Sequence, residues 1–434
     1  MIKIFKDQSV QASLLRNSLI QITWWIIFFP GFFSGDSFGA VQMAKSGELT
    51  NSFTASWALY VRIFSIHGNA IGLLTLIDGL LLVFAVTRFS YSILPKKTAS
   101  ISSFLLTLTP VISGMGITLW HDILMTAGLL LVVSFMTKIH QENSVSKSEV
   151  LSELLLGAVL VSFRPNGLPT LLVFSIIFLL FHYTKNSVKA LVAAIATTSL
   201  VTLIGSSVIL GLNPINDYYA QEWMRNDISC FANTPAGAGF VELNIPGIGS
   251  TQDWGSAEAC IFLNTAKVSS KQKIAAQEYI PSAWLKLLKA NPSFVLKTHL
   301  QRNAYLYPIP IYGIPTTLPF LHSTLEFKDR GIEWAFPEVA ELSRAPIRAW
   351  NALRGLTAWA GLWAMITFAL LMRSKNRELL PSLQMCISLL GVLFIFAPIP
   401  DGRYALYALV VGQLALSGKF IEWAQTGSNR RPTD

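Results

Sequence analysis

Charged side chains are scarce in this sequence. Asp, Glu, Lys and Arg supply only 13% of the 434 residues, where a soluble domain carries about 25%. With 52% hydrophobic residues and a mean hydropathy of +0.49, the chain reads as an all-α polytopic membrane protein. Cysteine is scarcer still, at three residues. No Cys/His spacing resembles a zinc site, and there is no P-loop, dinucleotide glycine motif or internal repeat. The formal charge of +9 does not call for nucleic acid, because no dense basic tract interleaves with aromatics. Much of the Lys and Arg instead sits in short segments between apolar runs, as in loops held on the cytoplasmic side. Cys230 and Cys260 lie in the one long polar stretch and Cys386 in an apolar run. A Cys230–Cys260 disulfide, if that stretch faces outward, and two unpaired thiols are both compatible with the sequence.

A membrane helix needs about 20 mostly apolar residues. That rule predicts about ten transmembrane helices, at roughly 15–33, 69–91, 99–118, 123–139, 149–163, 168–183, 189–211, 352–372, 379–397 and 405–422. Lys3, Lys6 and Arg16 precede an uncleaved first span, and the basic run Arg373–Arg377 marks a second inner loop, so both termini face inward. Three parts follow: an N-terminal transmembrane module, 1–212, with an outer loop at 34–68; an extracytoplasmic region, 213–350, before the last three spans; and a C-terminal module, 351–434. Within the outward region, 267–289 and 292–306 have helical periodicity, while the prolines from Pro308 to Pro319 favour irregular chain. Phe53 to Ile66 is amphipathic. It suits an interfacial helix with Trp57, Tyr60 and Phe64 at headgroup depth, or a short re-entrant segment. Spans five and six are short, which implies tilt, a thinned bilayer or a buried hairpin. Asp78, near the middle of span two, needs a partner or a water-filled cavity.

The stretch from Trp24 to Gln42, WWIIFFPGFFSGDSFGAVQ, organises the rest. An apolar run breaks at Pro30-Gly31, and one carboxylate, Asp36, follows between small residues. The topology puts Asp36 on the same outer face as His121-Asp122, Arg164 with Asn166, and Asp401 with Arg403-Tyr404. Sugar transfer from a lipid phosphate needs such a set. A carboxylate can take the proton of an acceptor hydroxyl, and Arg can grip the leaving phosphate with a planar fork that stays charged. In that scheme Asp36 is the base and Arg164 and Arg403 hold the phosphate. His121, Asp122 or Asp401 orient groups or bind sugar hydroxyls, and Asn166 and Tyr404 complete the substrate site. No convincing metal-ligand set accompanies them, and no cofactor is expected.

The motifs Pro30-Gly31-Phe32-Phe33-Ser34-Gly35-Asp36-Ser37, Trp120-His121-Asp122, Phe163-Arg164-Pro165-Asn166-Gly167 and Asp401-Gly402-Arg403-Tyr404 together resemble bacterial integral-membrane glycosyltransferases of the GT-C superfamily. The likeness is to polyprenyl-phosphate-sugar-dependent members with a PG-x-x-S-x-DS segment after the first span. It implies a GT-C-like fold in the cell inner membrane and catalysis at its outer surface. A polyprenyl-phosphate-linked sugar would be the donor and a glycan, lipid or protein the acceptor, with Asp36 as base and inversion at the sugar. Two departures stand out. The His-Pro pair that often follows the Asp-Ser segment is missing, since residues 52–57 read SFTASW, and Pro165 replaces the Asn that often follows the arginine. Two other readings compete: a transporter or lipid flippase using Asp78 and the short spans, and a non-catalytic assembly component using 213–350 as a contact surface.

Overall fold

A helix that folds in water buries its apolar face, but α1 (Val10–Ile27) does the reverse. Its buried residues are Ser13, Arg16, Asn17 and Gln21, while Leu15, Leu19 and Ile26 are exposed. The computed structural model describes residues 8–47, 54–142, 146–212, 221–245, 278–303, 306–307, 333–353, 356, 359–374, 377–397 and 402–428. Among these the regular structure is helical, with one isolated parallel bridge and no strand. Exposed apolar side chains recur on later helices, including Ile176, Leu180, Leu203, Phe368 and Phe420. Such a surface suits hydrocarbon, where polar contacts between helices act as the adhesive.

The polar face of α1 packs on α4 (Ile71–Ile93) and α5 (Lys96–Thr107). Arg16 donates to the Ser100 carbonyl at 2.6 Å, and the Asn17 amide reaches Thr87 and Ser103 at 3.1 and 3.2 Å. Two short helices, α2 (Gly35–Ser46) and α3 (Ala55–Phe64), lie between α1 and α4 in the chain. After α5 the chain passes through a π-helical turn, Pro110–Gly114, into α6 (His121–Glu142), the most buried of the four span-length helical segments. The helix α7 (147–161) contains a π-helical stretch, Val150–Leu155. Then follow α8 (Gly167–His182) and α9 (Lys185–Leu212). Every predicted span overlaps a helix, α15 (Ala360–Ser374), α16 (Leu380–Phe396) and α17 (Leu406–Ser428) included. Among the described residues, four helical segments are long and apolar enough to cross a membrane: Ile71–Ile93, His121–Gln141, Lys185–Gly205 and Arg403–Ala424.

Three features differ from the sequence reading. The first helix stops at Ile27 instead of running to 33. The third predicted span is broken, because α5 ends at Thr107 and Pro110 has no N–H with which to continue it. In α3, Trp57 and Tyr60 are buried against protein while Phe64 is exposed, so only the end of that helix presents an aromatic outward.

Helices α6 and α7 are held at two levels. Gly128 and Gly157 face each other so closely that a Cβ on Gly128 would lie 2.6 Å from the Gly157 carbonyl oxygen. At the other end the π-helical stretch presents Glu153 inward. Its carboxylate takes Arg88 Nε at 2.6 Å, Lys138 Nζ at 2.6 Å and Ser134 Oγ at 2.9 Å.

Within 213–350, α10 (Glu222–Ala232), α11 (Ile280–Ala290) and α12 (Pro292–Arg302) share an apolar core that includes Ile228, Phe231, Leu287 and Val295. Residues 267–277 and the stretch from Pro308 to Pro319 lie outside the described residues, as does Cys260. Cys230 is disulfide-bonded and Cys386 is a buried free thiol. The buried Asp227 carboxylate joins the three helices, bonding Trp284 at 2.9 Å, His299 at 2.8 Å and Arg302 at 2.5 Å. His299 and Asn303 also bond the Phe394 carbonyl, both at 3.0 Å, which docks the unit on the end of α16. Further along, Ala335 donates to the Phe29 carbonyl at 2.9 Å, just before α13 (Pro337–Ser343) and α14 (Ala345–Ala352).

Two outcomes follow from this packing. Gly128→Ala forces its methyl against the Gly157 carbonyl, and thermal unfolding in detergent is expected to show a loss of about 1–3 kcal/mol. Burial pushes the Asp227 carboxyl up, but the His299 hydrogen bond, the charges of Arg302 and His299 and the Trp284 hydrogen bond outweigh it and hold the pKa below the usual range. A lowered folded-state pKa adds stability that is complete above the unfolded value, about 4, and is lost as pH falls through the folded one. Protection of the Ile280–Arg302 amides, taken relative to their intrinsic exchange rates, should therefore fall on acidification, whereas in Asp227→Asn it should be low already at neutral pH.

Candidate active site at the start of four helices

The site begins with two chain segments lying side by side. Phe32 N–H donates to the Ile117 carbonyl at 3.0 Å and Leu119 N–H to the Phe32 carbonyl at 3.1 Å. Gly31 makes this approach possible. Its φ is +121°, and a Cβ there would sit 2.5 Å from the Ile117 oxygen. The two segments then enter α2 and α6 next to one another. Ser34 caps α2 in a reciprocal capping box with Ser37, and the Ser37 hydroxyl donates to the Leu119 carbonyl at 2.8 Å. Trp120 adds a third tie, its indole N–H donating to Ser34 Oγ at 2.7 Å. Asp36 is thus in the first turn of a helix and not in a loop, and Asp122 is in the first turn of the next.

Arg164 comes from the turn between α7 and α8. That turn folds tightly: Gly167 N–H donates to the Arg164 carbonyl at 3.0 Å. A Cβ on Gly167 would overlap the Val161 carbonyl oxygen, so glycine is needed for space. The glycine crossing of α6 with α7 brings Asp122, six residues before Gly128, near Arg164, seven residues after Gly157. Arg403 and Tyr404 occupy the single 3-10 turn Gly402–Ala405 that leads into α17.

These groups converge. Arg164 forms an ion pair with Asp122 through Nη1 and Oδ1, and its guanidinium lies 4.0 Å from the centre of the Tyr404 ring. Arg403 Nε is 3.7 Å from Asp122 Oδ2, while its Nη2 donates to Asp36 Oδ2 at 2.6 Å. The Arg403 guanidinium also lies over Trp120, 4.8 Å from the ring centre. His121 stacks obliquely against Trp57 at 5.2 Å, its Nδ1 3.8 Å from Asp122. Asn166 precedes α8, and both polar atoms of its side chain are buried without a hydrogen-bond partner among the described residues. Asp401 lies outside the described residues. Among those described, no three His, Cys, Asp or Glu side chains gather as a metal site would require.

Each acid or arginine here stands in the first turn of a helix or just before one. Helix N-termini carry partial positive charge and attract anions. The two carboxylates nevertheless differ in setting, since the Asp36 side chain is 44% exposed and that of Asp122 only 2%. Asp122 is the internal counterion of two arginines, and Asp36 meets solvent. Trp120, Ser34 and Trp57 were not among the candidate residues. Their contacts join positions about 60 to 90 residues apart, and only the place of Trp120 beside His121-Asp122 hinted at a role.

Removing Asp122 would leave two buried guanidinium groups without their shared anion, and Asp122→Ala is expected to cost about 3–5 kcal/mol in thermal unfolding. Asp36 is half exposed, so Asp36→Ala should fall within about 0–1 kcal/mol of wild type. Equal losses in the two variants would contradict this division.

No protein-family model matches this chain, and no curated protein matches it. Three solved structures of an archaeal oligosaccharyltransferase from Archaeoglobus fulgidus are similar. The AglB complex with an inhibitory peptide and a dolichol-phosphate is 14% identical over 98% of this chain and 52% of that one, with a TM-score of 0.45. The apo form is 12% identical over 98% and 52%, with a TM-score of 0.48. The complex with zinc and sulfate is 14% identical over 95% and 50%, with a TM-score of 0.41. This chain spans about half the length of the structures it matches.

Proposed function

We propose that this protein is a membrane glycosyltransferase that moves a sugar from a polyprenyl-phosphate donor to a glycan, lipid or protein acceptor outside the cytoplasm. One observation carries the reading: Asp36, the half-exposed carboxylate among the described residues of the site, is hydrogen-bonded to Arg403, which meets Arg164 across a shared buried acid. Arg403 engages Asp36 Oδ2, which orients the carboxylate and leaves Oδ1 for the acceptor. The acceptor hydroxyl gives its proton to Asp36 as its oxygen bonds the anomeric carbon. The bond from that carbon to the phosphate oxygen breaks, and negative charge collects on the departing polyprenyl phosphate. Arg164 and Arg403 neutralise that charge with N–H groups fixed in advance by Asp122, Tyr404 and Trp120. Attack opposite the leaving group gives inversion.

His121 and Asn166 stand beside the arginines, where their polar atoms suit sugar hydroxyls, and Asp401 is assigned the same task by its place two residues before Arg403. In this reading the chain is a multi-pass protein of the inner membrane, with Asp36, Asp122, Arg164 and Arg403 at the outer surface. A transporter draws less support. Asp78 does not line an open path but is fully buried and bonded to Tyr60.

The test is transfer from polyprenyl-phosphate sugars by purified protein. Asp36→Asn is expected to insert and unfold like wild type while turnover falls by about 10²–10⁴-fold. Undiminished turnover in that variant would remove Asp36 as the base. Lysine at position 164 or 403 keeps the charge but loses the fork, and each should lower kcat/KM with only a small change in stability.

A further inference from the structure

The mechanism leaves Asp78 unused, although a carboxyl inside a membrane helix is rarely idle. Asp78 is fully buried in α4, and its Oδ1 accepts the Tyr60 hydroxyl hydrogen at 2.6 Å. Its Oδ2 is buried without a hydrogen-bond partner among the described residues. Tyr60 belongs to α3, and α3 grips the turn that carries Arg164. The Thr54 hydroxyl donates to the Phe163 carbonyl at 2.5 Å, and the Ser56 hydroxyl to the Ser162 carbonyl at 2.8 Å. The Tyr60 ring itself packs on Phe163, with 4.9 Å between centres. Three contacts from one short helix therefore fall on the two residues before Arg164.

The grip weakens α3 as a helix. Thr54 is its N-cap, yet no side chain caps the helix, because the Thr54 hydroxyl is committed to Phe163. Ten residues without a cap do not hold a helix unaided. The Tyr60–Asp78 bond supplies an anchor from outside, joining α3 to the rigid interior of α4.

We propose that Asp78 and Tyr60 are positioning residues: their hydrogen bond sets the depth and rotation of α3, and α3 sets the turn from which Arg164 reaches the substrate phosphate. This rests on the reading of Arg164 as a phosphate-holding group. Only an acceptor is required of Asp78. An amide oxygen meets that need, whereas a proton or ion path would require the acid.

The experiment uses the full chain in detergent, with undecaprenyl phosphate as the binding probe and hydrogen exchange of Ser162–Gly167 as a second readout. Tyr60→Phe and Asp78→Leu are expected to weaken probe binding about ten-fold and to speed exchange in the turn. Asp78→Asn should bind and exchange like wild type, and the double variant Tyr60→Phe/Asp78→Leu should be no worse than the worse single one, since both lose the same bond. Loss of binding in Asp78→Asn equal to that in Asp78→Leu, or wild-type exchange in Tyr60→Phe, overturns the proposal. If Arg164→Ala leaves probe binding unchanged, the phosphate reading fails on its own. Faster exchange in Tyr60→Phe would then still support the brace, and unchanged exchange would overturn it.

Discussion

A buried ionised carboxylate needs positive charge or hydrogen-bond donors close by, and around Asp122 that demand shapes this end of the bundle. One buried anion is met by two buried guanidinium groups, Arg164 and Arg403. The surplus positive charge is answered by Asp36, which is half exposed and hydrogen-bonded to Arg403. To satisfy this balance, the first turn of α6, the turn before α8 and the turn before α17 must converge on the start of α2. The glycine crossing of α6 with α7, the paired segments at Phe32 and Thr118, and the Trp120–Ser34 bond are the means by which the backbone allows it.

The same balance explains how two acids a short distance apart can have different tasks. Asp122 is enclosed and committed to holding arginines, so it is unsuited to meeting an incoming alcohol. Arg403 takes only one oxygen of Asp36, and the other is the one that the proposed mechanism assigns to such a partner. Environments that separate two carboxyl groups in this way are the usual basis for assigning distinct roles to them. An anionic ligand arriving at the site would compete with Asp36 for Arg403, the contact with the most access to solvent.

Much of the helical layout was legible from apolar run length, since hydrocarbon imposes a uniform demand on every span. Asp36, Asp122, Arg164 and Arg403 could be selected because they stand in very short segments between apolar runs that hold an acid, a guanidinium or both, whereas the alternate loops carry mainly Lys and Arg. What escaped the sequence was set by contacts between distant segments. The inward turn of Tyr60 depends on Asp78 and Phe163, and that of Trp57 on His121. The helical start at Gly35 depends on Ser34 and Ser37 meeting Trp120 and Leu119. The polar face of α1 gave a weak signal, because Ser13, Asn17 and Gln21 interrupt an apolar run only every fourth residue. The role of Asp401 rests on sequence alone.

In the proposed mechanism Arg164 and Arg403 form one seat for a lipid-linked phosphate beside Asp36. The most direct measurement is an electron cryomicroscopy map of the protein with bound undecaprenyl phosphate. Phosphate density is expected in contact with both guanidinium groups, with the Asp36 carboxylate facing the same space. Phosphate bound elsewhere, with Arg403 still closed on Asp36 and Arg164 on Asp122, would contradict it.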